Sequence, residues 1–258
     1  MQRLLLTILA LFATFSLHGA QPRRVELTVD GVARTALVFA PPQDSEPAPL
    51  VFGWHGHGGS AQNAARSFRI HELWPQAIVI YADGLPTAGR TDPEGKKRGW
   101  QQKADDLGGR DLKFFDSLIA FAKKEYAVDS KRIYSTGHSN GSAFTYLLWG
   151  SRPDVFAAIG SSAGGFRPLY AGKPIPALHV AGEKDEIVPF TAQSFCMSAM
   201  RRINGCAAEP KPWGETKGAL LYPSEKGTPF VSYIHGGGHL FPSEAPEMFV
   251  RFFKEHSK

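Results

Sequence analysis

The chain has 258 residues, of which 43% are hydrophobic and 21% charged, proportions of an ordinary globular enzyme with enough length for a sizeable core. Its formal charge of +5 is mildly basic, but the cations are scattered and Lys96-Lys97-Arg98 is the longest run. That run reads as a solvated loop, and nothing in the charge pattern suggests nucleic-acid binding.

The N-terminus opens with Met1-Gln2-Arg3, continues as an apolar stretch from Leu4 to Phe15, and leaves through Ser16-Leu17-His18-Gly19-Ala20. A positive start, a short apolar centre and a small-residue exit describe a secretory signal peptide over residues 1–20. The stretch is too short for the roughly 20 apolar residues that span a bilayer. The expectation is therefore a secreted or periplasmic protein with no stable membrane insertion once the signal is removed. Residues 21–258 read as a single catalytic domain with no room for a separate polymer-binding module.

Val25–Val29 alternates apolar and polar residues, Asp30-Gly31 is a hairpin turn, and a return strand runs from Ala33 to Ala40 before Pro41-Pro42. Leu50–Trp54 is a continuous apolar run, as expected of a strand buried on both faces. A helix is expected over Ala61–Leu73 and a strand over Ala77–Ala82. Gly84–Gly109, rich in Gly and polar residues, reads as a long active-site loop. Asp111–Tyr126 has Leu112, Phe115, Ile119 and Ala122 at helical spacing. A strand over Arg132–Thr136 leads to Gly137 and a helix ending near Trp149. Further strands fit Ala157–Ser161, Ala177–Ala181 and Pro229–Ile234, and an amphipathic helix closes the chain at Ala245–Lys254. This alternation predicts an α/β fold with a mostly parallel sheet of about eight strands and helices on both faces.

Gly137-His138-Ser139-Asn140-Gly141 is a G-x-S-x-G sequence between an expected strand and an expected helix. This is the setting of the nucleophile elbow of α/β-hydrolases, which lifts the serine hydroxyl above the sheet. A serine hydroxyl needs a base, and the base an orienting carboxylate, in the chain order Ser, acid, His. Glu183, Asp185 and Glu186 all follow the strand at Ala177–Ala181. Asp185 is preferred because it leaves the chain room to turn back over the sheet edge. Of His235 and His239, the second follows a run of three glycines that can swing towards Ser139. The oxyanion donors are expected to be the backbone N–H groups of Asn140 and of His57, the latter within His55-Gly56-His57-Gly58-Gly59. The H-x-H pair has the spacing of a metal site, but no third ligand follows at a suitable distance, so neither a metal nor another cofactor is expected. Trp100 is a candidate wall of the substrate cleft or an anchor of the long loop. Cys196 and Cys206, an even pair in an exported chain, are expected to form a disulfide around a short loop at Met197–Gly205.

With these motifs the sequence resembles the secreted feruloyl esterases and the related polyhydroxybutyrate depolymerases. The resemblance runs from about Leu50 to Pro242. It rests on the His55 run, Asp83-Gly84, Trp100, Asp111 with Asp116, Arg132-Ile133-Tyr134 before the elbow, Asp185 with Val188-Pro189, and Gly236-Gly237-Gly238-His239 with Pro242. The family often has Cys at His57, Gly at Ser142 and Trp at Phe241. The resemblance implies a serine esterase acting on a small-molecule or oligosaccharide ester, with feruloyl or acetyl esters of plant cell-wall carbohydrate favoured over polyester.

Overall fold

The computed structural model describes residues 22–42, 46–166 and 172–258; the expected signal peptide lies outside them. Twelve strands and six helices follow in chain order: β1 (Arg23–Val29), β2 (Val32–Phe39), β3 (Ala48–Trp54), α1 (Ala61–Phe68), α2 (Ile70–Leu73), β4 (Ile78–Ala82), β5 (Leu85–Pro86), β6 (Arg98–Gly99), α3 (Arg110–Glu125), β7 (Val128–His138), α4 (Asn140–Ser151), β8 (Ala158–Ser162), β9 (Ala177–Gly182), α5 (Phe190–Asn204), β10 (Lys211–Pro212), β11 (Ala219–Tyr222), β12 (Phe230–His235) and α6 (Ala245–Lys254).

Ten of these strands form one sheet in the order β1-β2-β4-β3-β7-β8-β9-β12-β11-β10. From β4 to β12 every neighbouring pair is parallel, and the outer pairs on each side are antiparallel. All seven residues of β3 and all five of β4 are buried, which explains why these strands read as unbroken apolar runs. Their side chains still alternate between two cores. Leu50, Phe52, Trp54, Ile78 and Ile80 join the side chains of α3, α4 and α5 on one face, whereas Val51, Val79 and Tyr81 meet those of α1, α2 and α6 on the other. The fold is thus the expected α/β-hydrolase architecture, a large, mostly parallel sheet covered on both faces.

The differences from the sequence reading are local. The sheet has ten strands rather than eight, because the short antiparallel β10 and β11 extend its edge. The helix expected over Ala61–Leu73 is broken at Arg69, whose φ of 49° caps α1, while Ser60 caps its start by accepting from Asn63 N–H at 3.2 Å. Residues 190–204, which overlap the expected disulfide-closed loop, are α5. Within the long loop, β5 and β6 pair as a small hairpin.

Candidate active site

The strands β7, β9 and β12 lie parallel and near one another, so the loops after them leave from the same edge of the sheet. That is where open α/β sheets bind ligands, and it is where Ser139, Asp185 and His239 stand. Ser139 occupies the turn between β7 and α4 with φ 55° and ψ −119°, a backbone conformation costing about 1–3 kcal/mol and held only by its surroundings. The flanking glycines explain how it is held. A Cβ on Gly137 would collide with the carbonyl of Gly141, and one on Gly141 with the carbonyl of Trp54. The Ser139 N–H is tied to the carbonyl of Ser162 at 2.8 Å.

The structure brings the three polar side chains into one line. Ser139 Oγ donates to His239 Nε2 at 2.8 Å, and His239 Nδ1 donates to Asp185 Oδ2 at 2.8 Å. Asp185 is buried, whereas Glu183 and Glu186 are exposed. Its Oδ1 accepts from the N–H groups of Ile187 at 2.9 Å and Val188 at 2.8 Å, and its Oδ2 accepts a second bond from Gln193 Nε2 at 3.0 Å. His235 stays apart, its Nδ1 accepting from Gly237 N–H. Gln193 was not foreseen, because its helix was not. His138 packs beside His239 with ring centroids 5.0 Å apart and the planes tilted by 43°; burial, reinforced by the neighbouring His239, pushes its imidazole down to about 4.

The N–H of His57 has no acceptor among the described residues, and Asn140 opens α4, where first-turn N–H groups lack an intrahelical partner. Both therefore remain available beside Ser139. The His57 imidazole is turned away into the long loop, 3.3 Å from Asp92 Oδ2 and packed close to Gly89 and Gly99. His55 is engaged at both nitrogens: Nδ1 donates to Gly56 O at 2.7 Å and Nε2 accepts from Gly84 N–H at 2.9 Å. Of the other family departures, Ser142 shares a hydrogen bond with Ser161, and Phe241 packs on Phe68 with centroids 4.7 Å apart.

Two expectations need correction. Trp100 does not wall the cleft: it is fully buried, stacked on Phe144 and edge-on to Trp54, and its indole N–H donates to His55 O at 2.9 Å. Its backbone is clamped by the Asn140 side chain, which accepts from Trp100 N–H at 2.7 Å and donates to Trp100 O at 3.0 Å. Cys196 and Cys206 are both free thiols. Cys206 lies past the end of α5, its Sγ 3.9 Å from Thr228 O, whereas Cys196 sits midway along that helix. Its thiol instead bonds the backbone of Phe166.

Ser139 and His239 open onto a cleft of about 760 Å³ whose lining includes Ala143, Tyr146, Leu147, Phe166, Val188 and Phe195. Arg90 and Lys103 stand at the polar part of its lining, and Arg90 reaches across to the carbonyl of Ile187 at 2.7 Å. The arrangement joins a hydroxyl hydrogen-bonded to an imidazole, two free N–H donors and a largely apolar pocket.

Comparison with known proteins agrees with this chemistry. The model of the prolyl oligopeptidase family matches residues 93–173, which include the elbow. The chain is 29% identical over 215 residues to a probable feruloyl esterase C of Aspergillus clavatus, covering 79% of this chain and 76% of that one. It is 26% identical to a bifunctional acetylxylan esterase/xylanase of Neocallimastix patriciarum, covering 83% of this chain but 32% of that protein. An acetyl xylan esterase from Aspergillus awamori superposes with a TM-score of 0.71 at 13% identity, over 90% of this chain and 99% of the other. The chain therefore has the α/β-hydrolase fold and is similar in sequence to feruloyl esterases.

Proposed function

We propose that this carboxylic ester hydrolase works through an acyl-enzyme formed on Ser139 and acts, as an exported protein, on feruloyl or acetyl esters of plant cell-wall carbohydrate. What carries the mechanism is the unbroken line from Ser139 Oγ through His239 to Asp185 at 2.8 Å per link. His239 takes the hydroxyl proton as Ser139 attacks the ester carbonyl, and Asp185 keeps the imidazole in the tautomer that can accept it. The N–H groups of His57 and Asn140 receive the charge that develops on the carbonyl oxygen. Protonated His239 gives its proton to the departing alkoxide, which leaves as the alcohol. The neutral imidazole then takes a proton from water as that water attacks the acyl-enzyme and frees the acid.

The substrate reading rests on the largely apolar cleft, which suits an aryl acyl group, and on the names of the relatives, a feruloyl esterase and an acetylxylan esterase/xylanase. The test is hydrolysis of methyl ferulate beside p-nitrophenyl acetate and a soluble hydroxybutyrate oligomer, with Ser139→Ala as the reference. We expect preference for the ferulate, and loss of ~10⁴-fold or more of kcat in folded Ser139→Ala. Retained activity in that variant rejects the nucleophile, and preferential cleavage of the oligomer rejects the cell-wall substrate in favour of a polyester.

A further inference from the structure

The triad carboxylate is the end of a longer buried chain of hydrogen bonds. We propose that Gln193 is a positioning residue for Asp185, itself oriented by His179 and Tyr146, so that the base of the triad is aligned from the wall of the acyl cleft. This inference rests on the triad reading above.

The direction of every link is determined. Gln193 lies on α5, fully buried, and one end of its amide faces two acceptors, Asp185 Oδ2 at 3.0 Å and Val188 O at 2.8 Å. A carboxylate and a carbonyl can only accept, so that end is the NH₂ group. Its Oε1 then faces His179 Nε2 at 3.3 Å, and that nitrogen must carry a proton. His179 is fully buried within β9, and burial pushes its imidazole down to about 4, so the ring is neutral near neutral pH and has a single N–H. Its Nδ1 is therefore a lone pair, which accepts from the Tyr146 hydroxyl at 2.8 Å. Tyr146 O–H donates to His179, His179 to Gln193, Gln193 to Asp185, and none of these donations can reverse without setting two donors or two lone pairs against each other.

The chain supplies what the loop cannot. The N–H groups of Ile187 and Val188 fix only Oδ1. With His239 and Gln193 both on Oδ2, all four acceptor positions of the carboxylate are filled, which sets its plane as well as its place. Burying three polar side chains beneath a catalytic cleft is costly unless every one is satisfied, and here their hydrogen bonds converge on Asp185. Tyr146 is among the residues lining the cleft while its hydroxyl bonds His179, so the far end of the chain lies in the cleft wall.

The experiment compares Gln193→Leu and the near-isosteric Gln193→Glu with the unaltered protein. It reads kcat and KM on p-nitrophenyl acetate across pH, and the downfield proton resonance of the His239–Asp185 hydrogen bond. The ionisable groups packed against His239 are Asp185 and His138. In Gln193→Leu we expect kcat to fall roughly tenfold or more with KM little changed, less than the ~10⁴-fold lost when a triad carboxylate becomes an amide. The resonance should shift, and the acid limb should move to higher pH, because a carboxylate with one donor fewer favours the imidazolium. Gln193→Glu should lose activity as pH rises and its own carboxylate ionises against Asp185. A folded Gln193→Leu with unaltered kcat, pH profile and resonance overturns the proposal, even if it melts earlier, since that outcome assigns Gln193 to packing alone. Should Gln193→Leu not fold, an unaltered pH profile in Gln193→Glu overturns it instead. Ser139→Ala separates the two readings. If Ser139→Ala is active the triad fails, whereas an inactive Ser139→Ala beside an unaffected Gln193→Leu removes only this proposal.

Discussion

Trp100 shows how much a single residue's role depends on its partners. Its position in a loop bordering the site fits either a cleft wall or a loop anchor, and the contacts make it the anchor: Asn140 clamps its backbone and the His55 carbonyl takes its indole N–H. The Asn140 side chain, directly after Ser139, thus holds the loop down, while the residue's own N–H stays beside Ser139. Trp100→Ala should lower stability by ~3–5 kcal/mol, the usual cost of emptying a buried aromatic site, measured by urea denaturation. Trp100→Phe should retain most of that stability and leave KM unchanged. A Trp100→Phe enzyme with normal stability and a strongly raised KM would restore the cleft-wall role. Asn140 at the elbow was singled out from sequence for its N–H alone, since motif reading sees the turn and not the side-chain clamp.

At the scale of elements, the long loop before α3 is pinned from below. Arg34 on β2 pairs with Asp111 on α3 at 2.7 Å with both side chains buried, and the other oxygen of Asp111 accepts from Gln101 N–H at 2.8 Å. Gln101 returns the bond through Oε1 to the N–H of Asp111 at 2.7 Å. Asp111→Ala leaves the Arg34 guanidinium buried without its partner and should cost about 3–5 kcal/mol, whereas Arg34→Met combined with Asp111→Leu should recover most of it. Chemical denaturation of the two singles and the double decides this, and equal losses in Asp111→Ala and the double variant would contradict it. The elements most legible in sequence were those with a local cause. The elbow needed glycines on both sides of Ser139, and β3 and β4 needed unbroken apolar runs. What was missed depends on distant pairing. The strands β10 and β11 are short enough to be carried by the sheet edge rather than by their own pattern. The α5 helix begins after Val188-Pro189 with no side-chain N-cap, and without that helix neither the separation of the cysteines nor Gln193 could be read.

Across the whole molecule, buried imidazoles give stability a common dependence on pH. Burial lowers His55, His71, His138, His179, His235 and His256 below the ordinary value of 6.5, with His138 and His179 reaching about 4. The unfolded chain therefore binds more protons than the folded one between about pH 4 and 6.5. Stability must rise with pH through that window and fall as pH drops through it. For His138 and His179 the loss is on the order of a few kcal/mol each, a large part of the 5–15 kcal/mol that a domain typically has. Carboxylates held by partners, such as Asp129 beside Arg132, act with the same sign but only nearer and below pH 4. The expected outcome is a Tm that is flat above about pH 7 and falls steeply between pH 6.5 and 4.5, with a shallower fall in His138→Asn. The slope belongs to His138 rather than to the carboxylates only if that variant flattens it, and an equal slope in both proteins would show that His138 is not what makes the fold acid-sensitive. Because His138 precedes Ser139 and packs beside His239, acid should loosen the site and the fold together, so activity lost at pH 5 should return on neutralisation only as far as the folded protein does.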